Sequence, residues 1–83
     1  MQNSVNPVAQ SLNTVGILFH PKIAAAHVLA QELAAFLPSQ NVSAWVSSAW
    51  EVEQVRDQIE RTDLLVSIGG DGTILRVARA VIP

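Results

Sequence analysis

The sequence predicts an α/β domain of three layers, with a parallel sheet lying between helices. Three short apolar runs, each long enough for one strand, alternate with segments in which apolar residues recur every three or four positions. Strands that alternate with helices form parallel sheets whose helical connections cover the faces. With three strands, the expected order across the sheet is 2-1-3, so the first strand is central.

The predicted domain follows an irregular start of the chain. Residues 1–13 are rich in Asn, Gln and Ser, and we expect them to form a flexible tail. Residues 14–83 are expected to form a partial α/β domain. Its first strand, Thr14–Phe19, is apolar and contains β-branched residues. Pro21 prevents its continuation, because proline cannot donate a hydrogen bond to a neighbouring strand.

The first predicted helix runs from about Lys22 to Leu37, and Pro38 marks its end. Its apolar residues recur at helical spacing and share one face. They are Ile23, Ala26, Ala30, Leu33 and Leu37.

A second strand is predicted at Val42–Val46, and a second helix follows it. The helix begins with the spacing of a capping box, in which Ser48 caps the first turn and Glu51 reaches back. We expect this helix to bury three apolar side chains. They are Val52, Val55 and Ile59.

The third strand, Asp63–Ile68, leads into a glycine-rich loop, Gly69–Thr73, and then into a helix from Thr73 to about Ile82. Parallel sheets bind ligands beyond the carboxyl ends of their strands, at the point where the strand order reverses. The segment His20–Lys22 leaves the first strand at that edge. The topology therefore predicts that it lies beside the glycine-rich loop.

The loop reads Gly-Gly-Asp-Gly-Thr from residue 69. Glycines let the main chain come close to a phosphate, and the start of the next helix offers unpaired N–H groups and a positive dipole end. A second negative charge does not help to bind a phosphate. Asp71 is therefore interpreted as a group that accepts a proton from a hydroxyl or orients it. A phosphate and a hydroxyl together indicate phosphoryl transfer.

The loop and its continuation, Gly69–Arg79, resemble the glycine-aspartate motif of NAD kinases. Val15–Pro21 is similar to the first strand and loop of that family, and Asp63–Ile68 to the strand that precedes the motif. The resemblance covers the chain from about Thr14 to its end. It implies that this span is the incomplete amino-terminal part of an NAD-kinase-like domain. The family's later Asn-Glu/Asp segment and its β-rich second domain have no counterpart here.

NAD kinases transfer a phosphoryl group from ATP (in some members, from polyphosphate) to the 2′-hydroxyl of the adenosine ribose of NAD. A divalent metal, usually Mg²⁺, is needed. The resemblance implies that Asp71 is the general base and that Asp71 and Gly72 touch NAD. It also implies a basic NAD contact from Arg76 and a phosphate side shaped by three residues. These are Gly69, Gly70 and Thr73. No residue is assigned to a metal, and the full-length protein is expected to be a homo-oligomer.

Structural interpretations of the same residues stay open. The loop could be a tight turn, Asp71 or Thr73 could cap the helix, and Arg76 could be solvated. Several other residues near the predicted site favour structural roles. We expect His20 and Lys22 to have a loop or surface role, and His27 to have a structural role in the first helix. Packing is expected for Trp45 and Trp50.

The sequence leaves two other functions open. Diacylglycerol and sphingosine kinases share the Gly-Gly-Asp-Gly-Thr core, but other residues usually follow it than Ile74-Leu75-Arg76. A non-catalytic flavodoxin-like or degenerate nucleotide-binding module is the second alternative. The flavodoxin-like form is disfavoured because flavodoxins carry their phosphate loop after the first strand, and because receiver domains need carboxylates there. Here the first strand ends in Leu-Phe-His. A degenerate nucleotide-binding domain stays open.

The composition limits the partners of the chain. A net charge of −2 without basic runs argues against nucleic acid, and the absence of cysteine excludes disulfides and thiol catalysis. No signal peptide is recognisable, and no apolar stretch approaches the ~20 residues that span a bilayer, which favours the cytoplasm without membrane contact. The expected partners are the small molecules NAD and ATP. The third strand is apolar and its outer edge has no neighbouring strand. The fragment is therefore predicted to be marginally stable and prone to associate along this strand.

Overall fold

A three-stranded parallel sheet is the centre of the fold. The computed structural model describes residues 12–82, so residues 1–11 of the predicted tail, and residue 83, lie outside the described residues. The strands are β1 (Thr14–Phe19), β2 (Ser43–Ser48) and β3 (Leu64–Ile68), in the order β2-β1-β3. The predicted fold class and strand order are confirmed. The second strand begins one residue later, and ends two residues later, than the sequence predicts.

The register of the sheet brings the ends of all three strands to one edge. Phe19, the last residue of β1, lies opposite Ser48 of β2 and Ile68 of β3. The segments that leave the three strands therefore start side by side.

The first helix, α1, spans Ala24–Phe36, slightly less than the predicted range. Alanine, the best helix former, dominates its sequence. The helix is followed by a 3-10 turn, Leu37–Gln40, that contains Pro38 and is capped by Asn41. Asn41 has a φ of 64°, in the left-handed region that asparagine tolerates better than most residues.

The segment after β2 differs from the single α-helix that the sequence predicts. A 3-10 helix, Ala49–Val55, precedes a short α2 at Arg56–Glu60. Ser48 does cap this segment, because its Oγ accepts the N–H of Trp50 at 3.0 Å. The second half of the capping box is wrong. Glu51 has a non-helical φ of −109° and ψ of 23°, and its side chain makes no hydrogen bond within residues 12–82.

The last helix, α3, spans Asp71–Val81 and so begins two residues before the predicted start. Arg56 connects its end to the preceding segment. The Nη1 of Arg56 donates to the carbonyl of Ala80 at 2.9 Å, and its Nη2 pairs with Glu53 at 2.8 Å. The first bond satisfies one of the carbonyl groups that every helix leaves unpaired in its last turn.

Two apolar cores cover the two faces of the sheet. The core under α1 contains Val15, Ile17 and Ala30, with Leu33, Val46 and Val66 packed around them. The opposite core contains Leu18, Ala49, Val52, Val77 and Ala80, with Val55 and Ile59 packed against it. The predicted buried faces of both helical segments are thus confirmed, except that Ile23 is 41% exposed. Among the described residues, no helix has the length and apolar character needed to cross a membrane.

Trp45 lies over the backbone of the central strand. Its indole occupies the space above Gly16 where any other residue would carry a side chain, because a Cβ built there would be 2.3 Å from Trp45 Cζ2. The indole Nε1–H donates to Thr62 Oγ1 at 2.8 Å. Gly16 is therefore required by packing, and Trp45 joins β2 to the segment before β3. The predicted packing role of Trp45 is confirmed.

Asp63 ties the start of β1 to the start of β3. Its Oδ2 accepts the N–H groups of Asn13 and Thr14 at 2.8 and 2.9 Å. These two main-chain bonds hold the pKa of Asp63 below its ordinary value, since they favour the charged carboxylate.

The two main-chain hydrogen bonds to Asp63 predict that the fold loses stability in acid. A carboxyl group whose pKa is depressed in the folded state stabilises the fold above its unfolded pKa of about 3.9. That contribution disappears as the pH falls through the lower, folded pKa. We expect Asp63→Asn to lower the free energy of unfolding near neutral pH, because a charged acceptor bonds more strongly than an amide. The difference from wild type should shrink below about pH 4.

Urea titrations between about pH 6 and about pH 3 measure this difference. Asp57→Asn is the matched control, since the Asp57 side chain makes no hydrogen bond within residues 12–82. A destabilisation by Asp63→Asn that stays constant across this range would contradict the assignment.

Candidate functional site

The carboxyl edge of the sheet brings the predicted site segments together. The N–H of His20, which follows β1, donates to the carbonyl of Ile68, the last residue of β3, at 2.9 Å. The glycine-rich loop starts at the next residue, Gly69. The predicted adjacency of the His20 segment and the loop is therefore confirmed.

Gly69 is a glycine for structural reasons. Its φ of 153° lies in a region that residues with a side chain rarely adopt. A Cβ at this position would also lie 2.5 Å from Thr73 Oγ1 and 2.9 Å from His20 Cβ. Gly69 thus lets the loop fold tightly against the start of α3.

Thr73 lies beneath the loop instead of facing solvent. Its side chain is fully buried, and its Oγ1 has no hydrogen-bond partner among the described residues. The N–H of Thr73 donates to the carbonyl of Gly70 at 3.0 Å, which closes the first turn of α3. Thr73 therefore packs against Gly69, and the structure does not show it as a helix cap.

Gly70 and Gly72 differ from Gly69, because nothing within the described chain requires a glycine at either position. A Cβ on either residue would meet no atom within 4 Å. Gly70 is the residue that precedes α3, and its φ of −96° and ψ of −168° suit any amino acid. Gly72 is the second residue of α3, and glycine is a poorer helix former than alanine. Both glycines leave an open surface around Asp71.

Asp71 is the first residue of α3, and its side chain is exposed. The residue in the cap position is Gly70, and no side chain caps the helix. The capping interpretation of Asp71 is therefore not supported. Its carboxylate lies at the positive end of the helix dipole and makes no ion pair within residues 12–82.

Two main-chain N–H groups beside this carboxylate lack partners. The N–H groups of Thr73 and Ile74 both donate to the carbonyl of Gly70. Those of Asp71 and Gly72, at the very start of the helix, find no acceptor in the described part of the chain. A carboxylate and two available N–H donors thus share one exposed turn.

Arg76, one turn further along α3, stacks on an aromatic residue from another segment. Its guanidinium carbon lies 4.0 Å from the centre of the Trp50 ring. The Trp50 ring in turn lies 4.5 Å from the ring of His20, at an angle of 46°. The sequence favours packing over a binding platform for Trp50. Its place directly after a strand that ends at the ligand edge was the one signal of a role near the site.

The two histidines hold different positions. The Nδ1 of His20 accepts the N–H of Lys22 at 3.1 Å, which is the loop role predicted for it. His27 stacks on Phe19 at 4.7 Å between ring centres and lies within hydrogen-bond reach of Gln31. This contact places His27 in the packing of α1, as predicted.

A groove of about 440 Å³ borders the loop. The residues that line it include Trp50, Val52, Glu53, Gly72, Leu75 and Arg76. It connects the exposed turn at Gly72 with the Arg76 guanidinium. A second groove, of about 510 Å³, lies at the amino end of β3, away from the loop, between Leu64 and the end of α3.

The residues around the loop do not form a metal-binding cage. No group of three or more His, Cys, Asp or Glu residues comes together in the described range 12–82. Asp71 is the one carboxylate that the loop sequence supplies. Since divalent cations such as Mg²⁺ require several oxygen ligands, these residues do not fit a metal held by this part of the protein.

Comparison with known proteins identifies relatives of the chain. Residues 22–83 match the family described as "ATP-NAD kinase N-terminal domain". The chain is 44% identical over 69 residues to a protein named NAD kinase from Dehalococcoides mccartyi strain BAV1, an alignment that covers 83% of the chain. It is 33% identical over 72 residues, or 87% of the chain, to the NAD kinase of Chloroflexus aurantiacus strain J-10-fl.

The chain spans about a quarter of the length of these relatives, since the alignments cover 24% and 26% of them. No solved structure gives a significant match to the chain. The matched range includes the loop, the groove and both helices that carry their residues.

Proposed function

The chain belongs to the NAD kinase family, and on this premise we propose that the full-length protein phosphorylates NAD. The reaction would transfer the terminal phosphoryl group of ATP to the 2′-hydroxyl of the adenosine ribose, with ADP as the leaving group, and give NADP. Residues 14–83 would be the amino-terminal part of its catalytic domain. The rest of the substrate contacts, and the contacts of a homo-oligomer, would come from the remainder of the protein.

The observation that carries this proposal is the exposed turn at the start of α3. Asp71 presents a carboxylate between Gly70 and Gly72, neither of which packing requires. Glycine at such open positions is explained if a ligand comes into contact with the main chain there. The unpartnered N–H groups of Asp71 and Gly72 provide donors for an oxygen of that ligand.

Asp71 would act as the general base. A ribose hydroxyl is a weak nucleophile, and a carboxylate within hydrogen-bond reach accepts its proton as the bond to phosphorus forms. Gly72 would leave room for the ribose, and Arg76 would contact NAD from one helical turn away. Gly69, Gly70 and Thr73 would shape the phosphate side of the loop.

ATP would bring its own divalent cation as part of the substrate. Mg²⁺ is commonly held by the phosphates with only one or two carboxylates from the protein. None of the loop residues is proposed as a ligand of that ion. The cytoplasmic location stays a prediction from the sequence.

The direct test is an assay of the full-length protein with ATP and Mg²⁺. We expect NADP to form from NAD, detected by an NADP-specific dehydrogenase. Diacylglycerol in vesicles, offered in place of NAD, distinguishes the lipid kinase alternative. Phosphorylated lipid without NADP would overturn the proposal. Nucleotide binding without transfer to either acceptor would instead favour a non-catalytic module.

Gly72→Ala separates a ligand contact from a structural role. The added methyl group meets no atom of the described chain and replaces a poor helix former. We therefore expect the free energy of unfolding to stay equal or to rise, by up to about 1 kcal/mol. We expect kcat/KM for NAD to fall by about tenfold or more, because the methyl group occupies space beside Asp71 that the ribose needs.

Urea unfolding and steady-state kinetics of the same preparations measure both effects. Gly69→Ala is the matched comparison, since it should lower activity and stability together. Unchanged kinetics for Gly72→Ala would show that no ligand closely approaches this turn.

A further inference from the structure

Trp50, Arg76 and His20 form a row of side chains in contact across the ligand edge of the sheet. Each residue comes from a different connection: His20 follows β1, Trp50 follows β2, and Arg76 lies on the helix that follows β3. The ring of Trp50 is in the middle, 4.5 Å from the His20 ring and 4.0 Å from the Arg76 guanidinium carbon. The row therefore joins all three segments that surround the site.

The middle of the row is anchored on several sides. The main-chain N–H of Trp50 donates to Ser48 Oγ at 3.0 Å. Its neighbours Ala49 and Val52 are buried in the core. His20 is fixed in turn, since its main chain bonds to Ile68 and its Nδ1 accepts the N–H of Lys22. The main chain of Trp50 is thus fixed, and its ring lies between His20 and Arg76, although 38% of the residue is exposed.

Arg76, by contrast, has no ion pair within residues 12–82 to hold it. Arginine loses considerable rotamer freedom when it is fixed, and the contact with an aromatic face is what restricts it here. A guanidinium that lies over an aromatic face still has N–H groups available for oxygen acceptors. A ring already covered by arginine is a poor platform for a nucleotide base.

We propose that Trp50 is a positioning residue that holds Arg76 in the orientation in which it contacts NAD. The inference rests on the proposed function. Trp50 does not itself bind the substrate. It raises affinity for NAD by ordering Arg76 before NAD arrives, which reduces the entropy that binding loses.

Kinetics of the full-length protein test the inference. We expect Trp50→Leu to raise KM for NAD by roughly 3- to 30-fold, with kcat changed less than about twofold. Trp50→Phe keeps an aromatic face and should recover most of the loss. In an Arg76→Met background, Trp50→Leu should have almost no further effect on KM, since the residue that it positions is gone.

A second measurement needs no catalysis. Quenching of tryptophan emission by acrylamide reports exposure of the Trp50 ring, while Trp45 packs over Gly16 and is bonded to Thr62. We expect Arg76→Met to increase the quenchable emission in the absence of any ligand. Unchanged quenching would show that the stack does not form in solution, and would overturn the inference.

The outcomes separate the two proposals. If wild type phosphorylates NAD but Trp50→Leu leaves KM unchanged, or if its effect is the same with and without Arg76, the positioning role is wrong and the proposed function stands. If wild type transfers no phosphoryl group to NAD, the proposed function is wrong, and the positioning role is overturned with it.

Discussion

Replacement of Asp71 by asparagine is expected to lower kcat for NAD phosphorylation by about 10²–10⁴-fold. The amide keeps the size and polarity of the side chain but cannot accept the hydroxyl proton. Asp71 is exposed and makes no ion pair within residues 12–82. The free energy of unfolding should therefore fall by no more than about 0.3–1 kcal/mol, the value of a negative charge at the start of a helix.

Steady-state kinetics and urea unfolding of Asp71→Asn in the full-length protein measure the two quantities together. Asp57→Asn is the control, because it also removes a carboxylate from a helix but lies outside the site. This variant should retain wild-type kcat. Full activity in Asp71→Asn would mean that another group accepts the proton. Loss of activity together with unfolding would mean that Asp71 has a structural role that its exposed position does not explain.

The largest effect on stability is expected for Gly16→Ala. The new methyl carbon would lie 2.3 Å from Trp45 Cζ2 and 2.9 Å from Leu65 Cδ2, so the indole has to move. Overpacking of a core typically destabilises by about 1–3 kcal/mol. Movement of Trp45 also breaks its 2.8 Å bond to Thr62, which adds roughly 1 kcal/mol. We therefore expect a total loss of about 2–4 kcal/mol.

Urea unfolding of the variant measures this loss. Gly72→Ala is the matched control, because the methyl group added there meets no atom within 4 Å. A second variant identifies the cause. Gly16→Ala combined with Trp45→Leu should be more stable than the sum of the two single changes predicts, because the smaller side chain leaves room for the methyl group. Simple additivity of the two changes would contradict the steric explanation.

The layout of the fold was predictable because the sequence repeats one simple pattern. Apolar runs such as Leu64–Ile68 are too short for helices, and the helical spacing in Ala24–Phe36 is unambiguous. The exception is Ala49–Val55. Its buried residues are spaced by three, a spacing that suits a 3-10 helix as well as an α-helix. Sequence spacing alone does not distinguish these two helix types.

The candidate site was predictable in part. The loop and its place beside His20 follow from topology. The sequence does not show that Gly69 is a glycine for a different reason than Gly70 and Gly72. The φ of Gly69 and the open space at the other two glycines are properties of the folded chain. The contact of Trp50 with Arg76 joins residues far apart in sequence, so no local pattern signals it. The catalytic and binding roles stay predictions.

The strand order also has a consequence for synthesis of the protein on the ribosome. The central strand β1 is made first, yet its second neighbour, β3, is complete only at Ile68. At about 5–20 residues per second, the nascent chain carries Val15, Ile17 and Leu18 for several seconds before both sides of β1 can pair. The nascent chain is therefore expected to expose these apolar side chains to water during this interval.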